Sequence, residues 1–459
     1  MRRRPARTRA AAAAAGAAVL LVAALAVPRP ARGGGLYIPG VGGAGLGRAA
    51  AHIVAPGDLS AIWYDPAALV DIEGVTLTYE NSFVFSHASF DRRDDPTVIS
   101  DERGVFPPVK NEVHPFYIPM LGLTVATRRN VTLALAFYAP HAGDFAFPAD
   151  GPQRYAVIKS DTGETFAEAA FGARLSRRVD VGLAAGFSTV FVDETFAVHA
   201  DPVVANELHS GDATVVLKAT AWVVPSLGAA LRLHLGGGFA AALSARAPLE
   251  VHARGKLEIT PSAELQTQVE VAGDAVTMRF PLPLIVNAAV RWDSPGRRFD
   301  LELAATWENW SVIDAFVVDA TAVRLQSGLV GKSSVGMVRF DKGLRDAFSV
   351  RLGAGVTIRK DAVWARAGIG YESPGIRRER LTPSSVDTHK ALLGVGVTVR
   401  LWRFDLALSY LRIFEAPTDV DDSTYEQLNA LSPKRVTIVG NGIYRGSYDV
   451  ASAALTARF

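Results

Sequence analysis

Cysteine is missing from all 459 residues. Disulfides, thiolate metal sites and cysteine nucleophiles are therefore excluded together. Histidine is scarce, with nine scattered residues and no H-x-x-x-H pair. The sequence predicts no histidine metal site and no cofactor. After Val27 there is no long apolar run, so no membrane helix is expected there. A basic surplus is missing too. The formal charge is +2, and the first 33 residues hold seven arginines and no acid, which leaves −5 for the rest. No nucleic-acid partner is implied.

What is present begins with an address. MRRRPARTR is followed by an apolar stretch, Ala10 to Val27, and by small residues at Ala24–Ala26 and Ala31–Gly33. This is the pattern of a signal peptide over 1–33, cleaved after Ala26 or Gly33. The alternative is an N-terminal membrane anchor. Next comes GVGGAGLGRAA, whose Gly40, Gly42 and Gly45 fit G-x-G-x-x-G. The nucleotide-binding reading needs a buried strand just before it. The mature chain would begin only six residues upstream, with GGLYIP, so that reading is excluded.

Apolar residues make up 49% of the chain and alternate with polar ones. Phe299-Leu301-Leu303-Ala305-Trp307, Phe348 to Ile358, Leu393 to Leu401 and Trp402 to Tyr410 each show period 2, the mark of a strand with two different faces. Connections alternate between short and long. TRRN (127–130), SRRVD (176–180), HLGGG (234–238), DSPGRR (293–298) and RKD (359–361) are short; 88–113, 140–164, 194–213, 251–277, 310–347, 373–388 and 414–443 are long. Short turns on one side and long loops on the other describe a transmembrane β-barrel. Fourteen antiparallel strands are expected, filling 73–459. Trp307, Trp310, Trp364, Trp402, Tyr371 and Tyr410 lie near strand ends, where aromatic girdles form. The chain ends SAALTARF, an amphipathic strand closing on Phe459. That resembles the signal read by the outer-membrane insertion machinery.

A bare barrel needs no segment over 34–72. Here G-x-G-R-A is followed by Asp58-Leu59-Ser60-Ala61-Ile62-Trp63-Tyr64-Asp65-Pro66-Ala67-Ala68-Leu69. This stretch resembles the start of the FadL/TodX family of outer-membrane channels for long-chain fatty acids and other hydrophobic compounds. The family's N-P-A box reads Asp65-Pro66-Ala67 here, losing an amide donor but keeping a capping oxygen. FYAPHAG (137–143), FPLPLIVNAAVRW (280–292), ATWENWS (305–311) and ARAGIGYESPGI (365–376) resemble later pieces in order.

The resemblance implies an all-β barrel plugged by an N-terminal hatch. Gly42, Gly45, Gly47 and the Asp65-Pro66-Ala67 box would belong to that hatch, with the glycines letting its backbone approach the wall. A hydrophobic ligand would settle among long loops such as 194–213 and 251–277, enter the lumen and leave sideways near Ala139, Pro140 and Gly143. Leu36, Tyr37 and Ile38 are candidate ligand contacts. Arg351 and Arg366, read as inward-facing near mid-depth, are candidate carboxylate anchors, or else members of an ion-pair network with Glu302 and Asp405. Outer-membrane lipid and lipopolysaccharide are expected neighbours. The competing readings are an open porin, a barrel lipase or deacylase, and an adhesive barrel. The lipase needs a serine–histidine pair; Ser86 and His87, as strand neighbours, would face opposite sides, which leaves His209 and Ser210, in a loop, as its candidates.

Overall fold

A computed structural model describes residues 41–54, 57–113, 115–127, 130–199, 206–267, 269–327, 331–428 and 436–459. The predicted leader and Leu36, Tyr37 and Ile38 lie outside the described residues. Among the described residues, no helix is long and apolar enough to cross a membrane.

The chain forms a closed antiparallel barrel of fourteen strands. The first six are β1 (Val75–Arg92), β2 (Phe116–Ala126), β3 (Val131–Ala146), β4 (Lys159–Ser176), β5 (Val179–His199) and β6 (Asp212–Gly236). The next four are each built from two or three segments. They are β7 (Phe239–Arg246 and Leu249–Pro261), β8 (Val269–Ala272, Ala275–Leu282 and Ile285–Asp293), β9 (Phe299–Glu308 and Ala315–Ser327) and β10 (Gly331–Asp341 and Ala347–Arg359). Then come β11 (Val363–Glu372), β12 (Lys390–Leu401), β13 (Phe404–Glu415) and β14 (Gly442–Arg458). Each strand pairs with its sequence neighbours, and β1 closes on β14 from Thr76↔Arg458 to Arg92↔Gly442. Closure matters because an unpaired edge has no water to bond in hydrocarbon. The Phe459 N–H donates to Val75 O at 2.9 Å, fastening the last residue to the first strand.

Period-2 alternation sets the two faces. Leu77, Tyr79, Phe83 and Phe85 point outward, as do Leu393, Val395, Leu406 and Leu408. This outward apolar band suits lipid, whereas Thr76, Thr78, Glu80 and Ser82 line the lumen.

The structure differs from the sequence reading in several places. Residues 310–327 and 331–347 are not an irregular loop. They carry the second segment of β9 and the first of β10, joined ladder-wise from Ala315↔Asp341 to Ser327↔Gly331 with a shift near Ala320. The break after Glu308, filled by a short 3-10 turn at Trp310–Val312, hides the continuity. Trp310 is buried and Trp364 lines the lumen, so neither belongs to a girdle. Trp402 is 79% exposed but sits in the β12–β13 turn with φ 58°, rather than starting β13.

Candidate functional site

Residues 41–54 and 57–72 fill the lumen between the strands, almost wholly buried. Two single-turn helices, Gly43–Leu46 and Ala61–Tyr64, lead into a 3-10 helix at Pro66–Asp71. The packing is close because glycine is present on both sides. At Gly42, φ is +84° and a Cβ would meet Ser60 Cβ at 2.5 Å; at Gly45 it would meet the Tyr64 hydroxyl at 2.9 Å. On the wall, a Cβ on Gly182 would stand 2.1 Å from Ala67 N, and one on Gly368 would stand 2.1 Å from Arg48 O. Gly47 lies against Gly396, backbone to backbone. The wall glycines were missed as hatch contacts, although their recurrence on lumen-facing positions of β11 and β12 is visible in the sequence.

Charged groups hold the hatch in register. Arg48 reaches Asp300 at 2.7 Å and donates to the carbonyls of Ala51 and Gly353. Glu302 Oε1 accepts from the N–H groups of Ile53 and Val54 at 2.5 and 3.1 Å. Arg232 bridges Asp71 of the hatch and Asp180 of β5, at 2.6 and 2.7 Å. Asp65 is fully buried. Its Oδ1 accepts from Ala67 N–H at 2.9 Å and caps the 3-10 helix. Its Oδ2 has no partner. Burial pushes the Asp65 carboxyl up to about 7, against the opposing pull of Arg232 and of the Ala67 N–H.

The hatch divides the lumen. On the short-turn side lies a polar cavity of about 220 Å³, bordered by Thr76, Thr78, Arg366, Arg400, Asp405 and Arg458. On the long-connection side lies an apolar cavity of about 210 Å³, walled by Phe145, Val190, Phe196, Met278, Phe280 and Phe340 among others. Lys342, between the two segments of β10, also borders this cavity, with its ammonium 5.1 Å from the Phe316 ring centre.

The apolar cavity reaches a break in the wall. The β2–β3 ladder runs only from Ala126↔Thr132 to Met120↔Tyr138. Beyond it, 116–119 pair with β1 alone. Across β3, Tyr138 faces Phe166 but His141 faces Glu164, so β3 carries one extra residue at Ala139-Pro140. Pro140 and Pro119 supply no N–H to close the ladder. The break is bounded above by Glu112 N–H donating to Ala146 O at 2.8 Å and Ala146 N–H donating to Asn111 Oδ1 at 3.0 Å. Phe116, His141, Ala142, Gly143 and Phe145 border both break and cavity. Trp63 of the hatch packs edge-on against Tyr138, His141 and Phe166, with the Arg246 guanidinium 4.5 Å from its ring centre.

The two lumen arginines are not brought together. Arg351 is level with Gly370 and Arg366 with Gly355, four positions apart along β11. Arg351 pairs with Glu372 at 3.1 Å and donates to Thr306 at 3.0 Å, and it does not border the apolar cavity. Arg366 donates to Thr398 at 2.7 Å in the polar cavity. Their expected network partners lie elsewhere. Glu302 serves the hatch, and Asp405 is held by Arg400 and Arg458, each at 2.6 Å. Ser86 donates to Asp144 O while His87 points outward to Asp449.

A family model described as "Outer membrane protein transport protein (OMPP1/FadL/TodX)" matches residues 24–443. The chain belongs to the FadL/TodX family. Its members are transport proteins of the outer membrane, and this barrel is one of them. A Pseudomonas aeruginosa FadL homologue has a similar structure, with a TM-score of 0.76 at 14% identity, over 93% of this chain and 100% of that one. The Ralstonia pickettii toluene transporter TbuX gives 0.64 at 13% identity, over 92% and 98%. The Pseudomonas putida toluene transporter TodX gives 0.59 at 11%, over 94% and 96%. At these identities the likeness concerns the fold. No curated protein matches the sequence.

Proposed function

We propose that this family member is a passive channel for hydrophobic compounds, which settle in the apolar cavity and leave sideways through the β2–β3 break. The observation that carries this reading is that cavity and break share their lining residues. A compound in the cavity meets lipid without crossing the hatch or the polar cavity. Each methylene that avoids water spares about 0.8 kcal/mol. Long-chain fatty acids and aromatic hydrocarbons both fit an apolar wall. For an acid, the wall offers Lys342, since its other lysine, Lys390, is paired with Glu372 and Asp387; a charge-assisted contact there is strong in a dry site. Trp63 couples the hatch to the bulge at Pro140, so that a ligand displacing His141 also presses on the hatch.

In this reading Arg351 reaches the cavity wall only at second hand, through Glu372 to Lys390, and Arg366 belongs to the polar side of the hatch. Leader cleavage, insertion through the Phe459 strand and contact with lipopolysaccharide complete the proposal. The test is uptake by cells that lack their own fatty-acid channel, using a labelled long-chain fatty acid, toluene and a small sugar. Saturable gain for an apolar compound and none for sugar is expected. Gain for sugar alone would make the barrel an open porin, and gain for nothing would end the transport reading.

A further inference from the structure

One end of the apolar cavity carries charge that the transport of plain hydrocarbon does not use. Four neighbouring strands place inward residues in one row. Glu372 of β11 faces Lys390 of β12, and Lys390 faces Glu415 of β13. Gly446 of β14 lies against the Glu415 carboxylate. Lys390 is already committed: its ammonium reaches Glu372 at 3.1 Å and Asp387 at 2.5 Å. Glu415 is left over. It is 8% exposed and borders the cavity, and neither carboxylate oxygen has a hydrogen-bond partner.

The left-over carboxylate sits in a space made for it. A Cβ at Gly446 would stand 1.7 Å from Glu415 Oε2, so any larger residue would evict the carboxylate. Leaving a buried acceptor unmade is costly, and a group that completes it gains accordingly. Donors do line the cavity, Tyr448 and Lys342 among them, but none of them is bonded to this carboxylate. A ligand's own polar end would be the donor.

Building on the transport reading, we propose that Glu415 is a specificity-determining residue that accepts a hydrogen bond from the polar end of an amphiphilic ligand, a hydroxyl or an ammonium, whose chain lies along the apolar wall. The cavity then has two polar subsites of opposite kind. Lys342 is a donor toward acids, and Glu415 is an acceptor toward alcohols and amines.

The experiment is displacement of a fluorescent apolar reporter from the purified full barrel, using four ligands of one chain length: dodecane, dodecanol, dodecylamine and dodecanoate. At pH 9, where the carboxylate is ionised and the amine still carries its proton, dodecanol and dodecylamine are expected to displace at about tenfold lower concentration than dodecane, the size of one hydrogen bond to a charged group. Glu415→Leu should erase that advantage and leave dodecane unchanged. Glu415→Gln, which keeps an acceptor oxygen, should retain the dodecanol advantage and lose the dodecylamine one. Gly446→Ala, which leaves residue 415 intact, should reproduce Glu415→Leu. Equal displacement by dodecane, dodecanol and dodecylamine, or an advantage that survives both Glu415→Leu and Gly446→Ala, would overturn the inference and leave the transport reading standing. Failure of all four ligands to displace would overturn both.

Discussion

Replacing Asp65 with asparagine, the residue that the family's box carries at this place, should tighten the hatch and make it indifferent to pH. Asp65 is enclosed by the lumen, with Oδ1 spent on Ala67 N–H and Oδ2 without a partner. Its carboxyl is raised from 3.8 to about 7 by burial. Below about pH 4 both the docked and the released hatch carry the proton, and the group contributes no difference. Between about 4 and 7 the released hatch ionises while the docked one does not, so docking weakens as pH rises. Above about 7 both are ionised and the cost is constant. At about 1.4 kcal/mol per pH unit, that cost is about 4 kcal/mol, or close to 10³ in the docking equilibrium. Asparagine has no charge to bury and meets no repulsion from Glu302 or Asp180. The measurement is amide hydrogen exchange over residues 57–72, corrected for the intrinsic effect of pH. The native hatch should lose protection between pH 5 and pH 8; Asp65→Asn should not, and at pH 8 should be the better protected of the two. If Asp65→Asn is no better protected at pH 8, the burial argument is wrong.

Other outcomes follow from the same geometry. Gly182→Val or Gly368→Val should expel the hatch, because even a Cβ would sit 2.1 Å from hatch backbone; single-channel conductance should rise while the heat-modifiable barrel band persists. Deleting Pro140 removes the extra residue of β3 and restores one-to-one pairing with β4; apolar uptake should fall at least about tenfold, as for a lost transition-state contact of about 1.4 kcal/mol or more, with the barrel still folded. Arg48→Ala removes the ion pair to Asp300 at 2.7 Å and the bonds to the Ala51 and Gly353 carbonyls, while Asp300 keeps Arg291 at 3.3 Å; this should cost about 2 kcal/mol of hatch docking and appear as lost exchange protection over residues 43–54. Removing Phe459 deletes the bond to Val75 O and should lower the amount of barrel in outer-membrane fractions.

The barrel was legible because period 2 and loop rhythm are local properties. Leu393 to Leu401 and Phe348 to Ile358 show their two faces without help from the rest of the chain. The hatch was legible only through resemblance, since its buried, non-repeating backbone has no period to find. What stayed hidden depends on register. Lys390 and Glu415 stand opposite each other on two strands at a level that the sequence does not state, and Gly446 gains meaning only once Glu415 lies over it. Arg351 and Arg366 face inward as read, yet the ladder puts them at different heights, with Arg48 of the hatch against Gly353, Gly355 and Gly368 between them. The upper segments of β9 and β10 were hidden by the turn at Trp310.

The break between β2 and β3 carries a consequence for the direction of flow. Under the proposed function, a side opening would couple the cavity to the bilayer as a reservoir, and passage would be passive. Under the proposed function, net movement then follows the solute's activity on the two sides and reverses when that difference reverses. Sustained import would depend on removal downstream: whatever withdraws the solute from the bilayer, by metabolism or by a carrier, would set the throughput of the barrel.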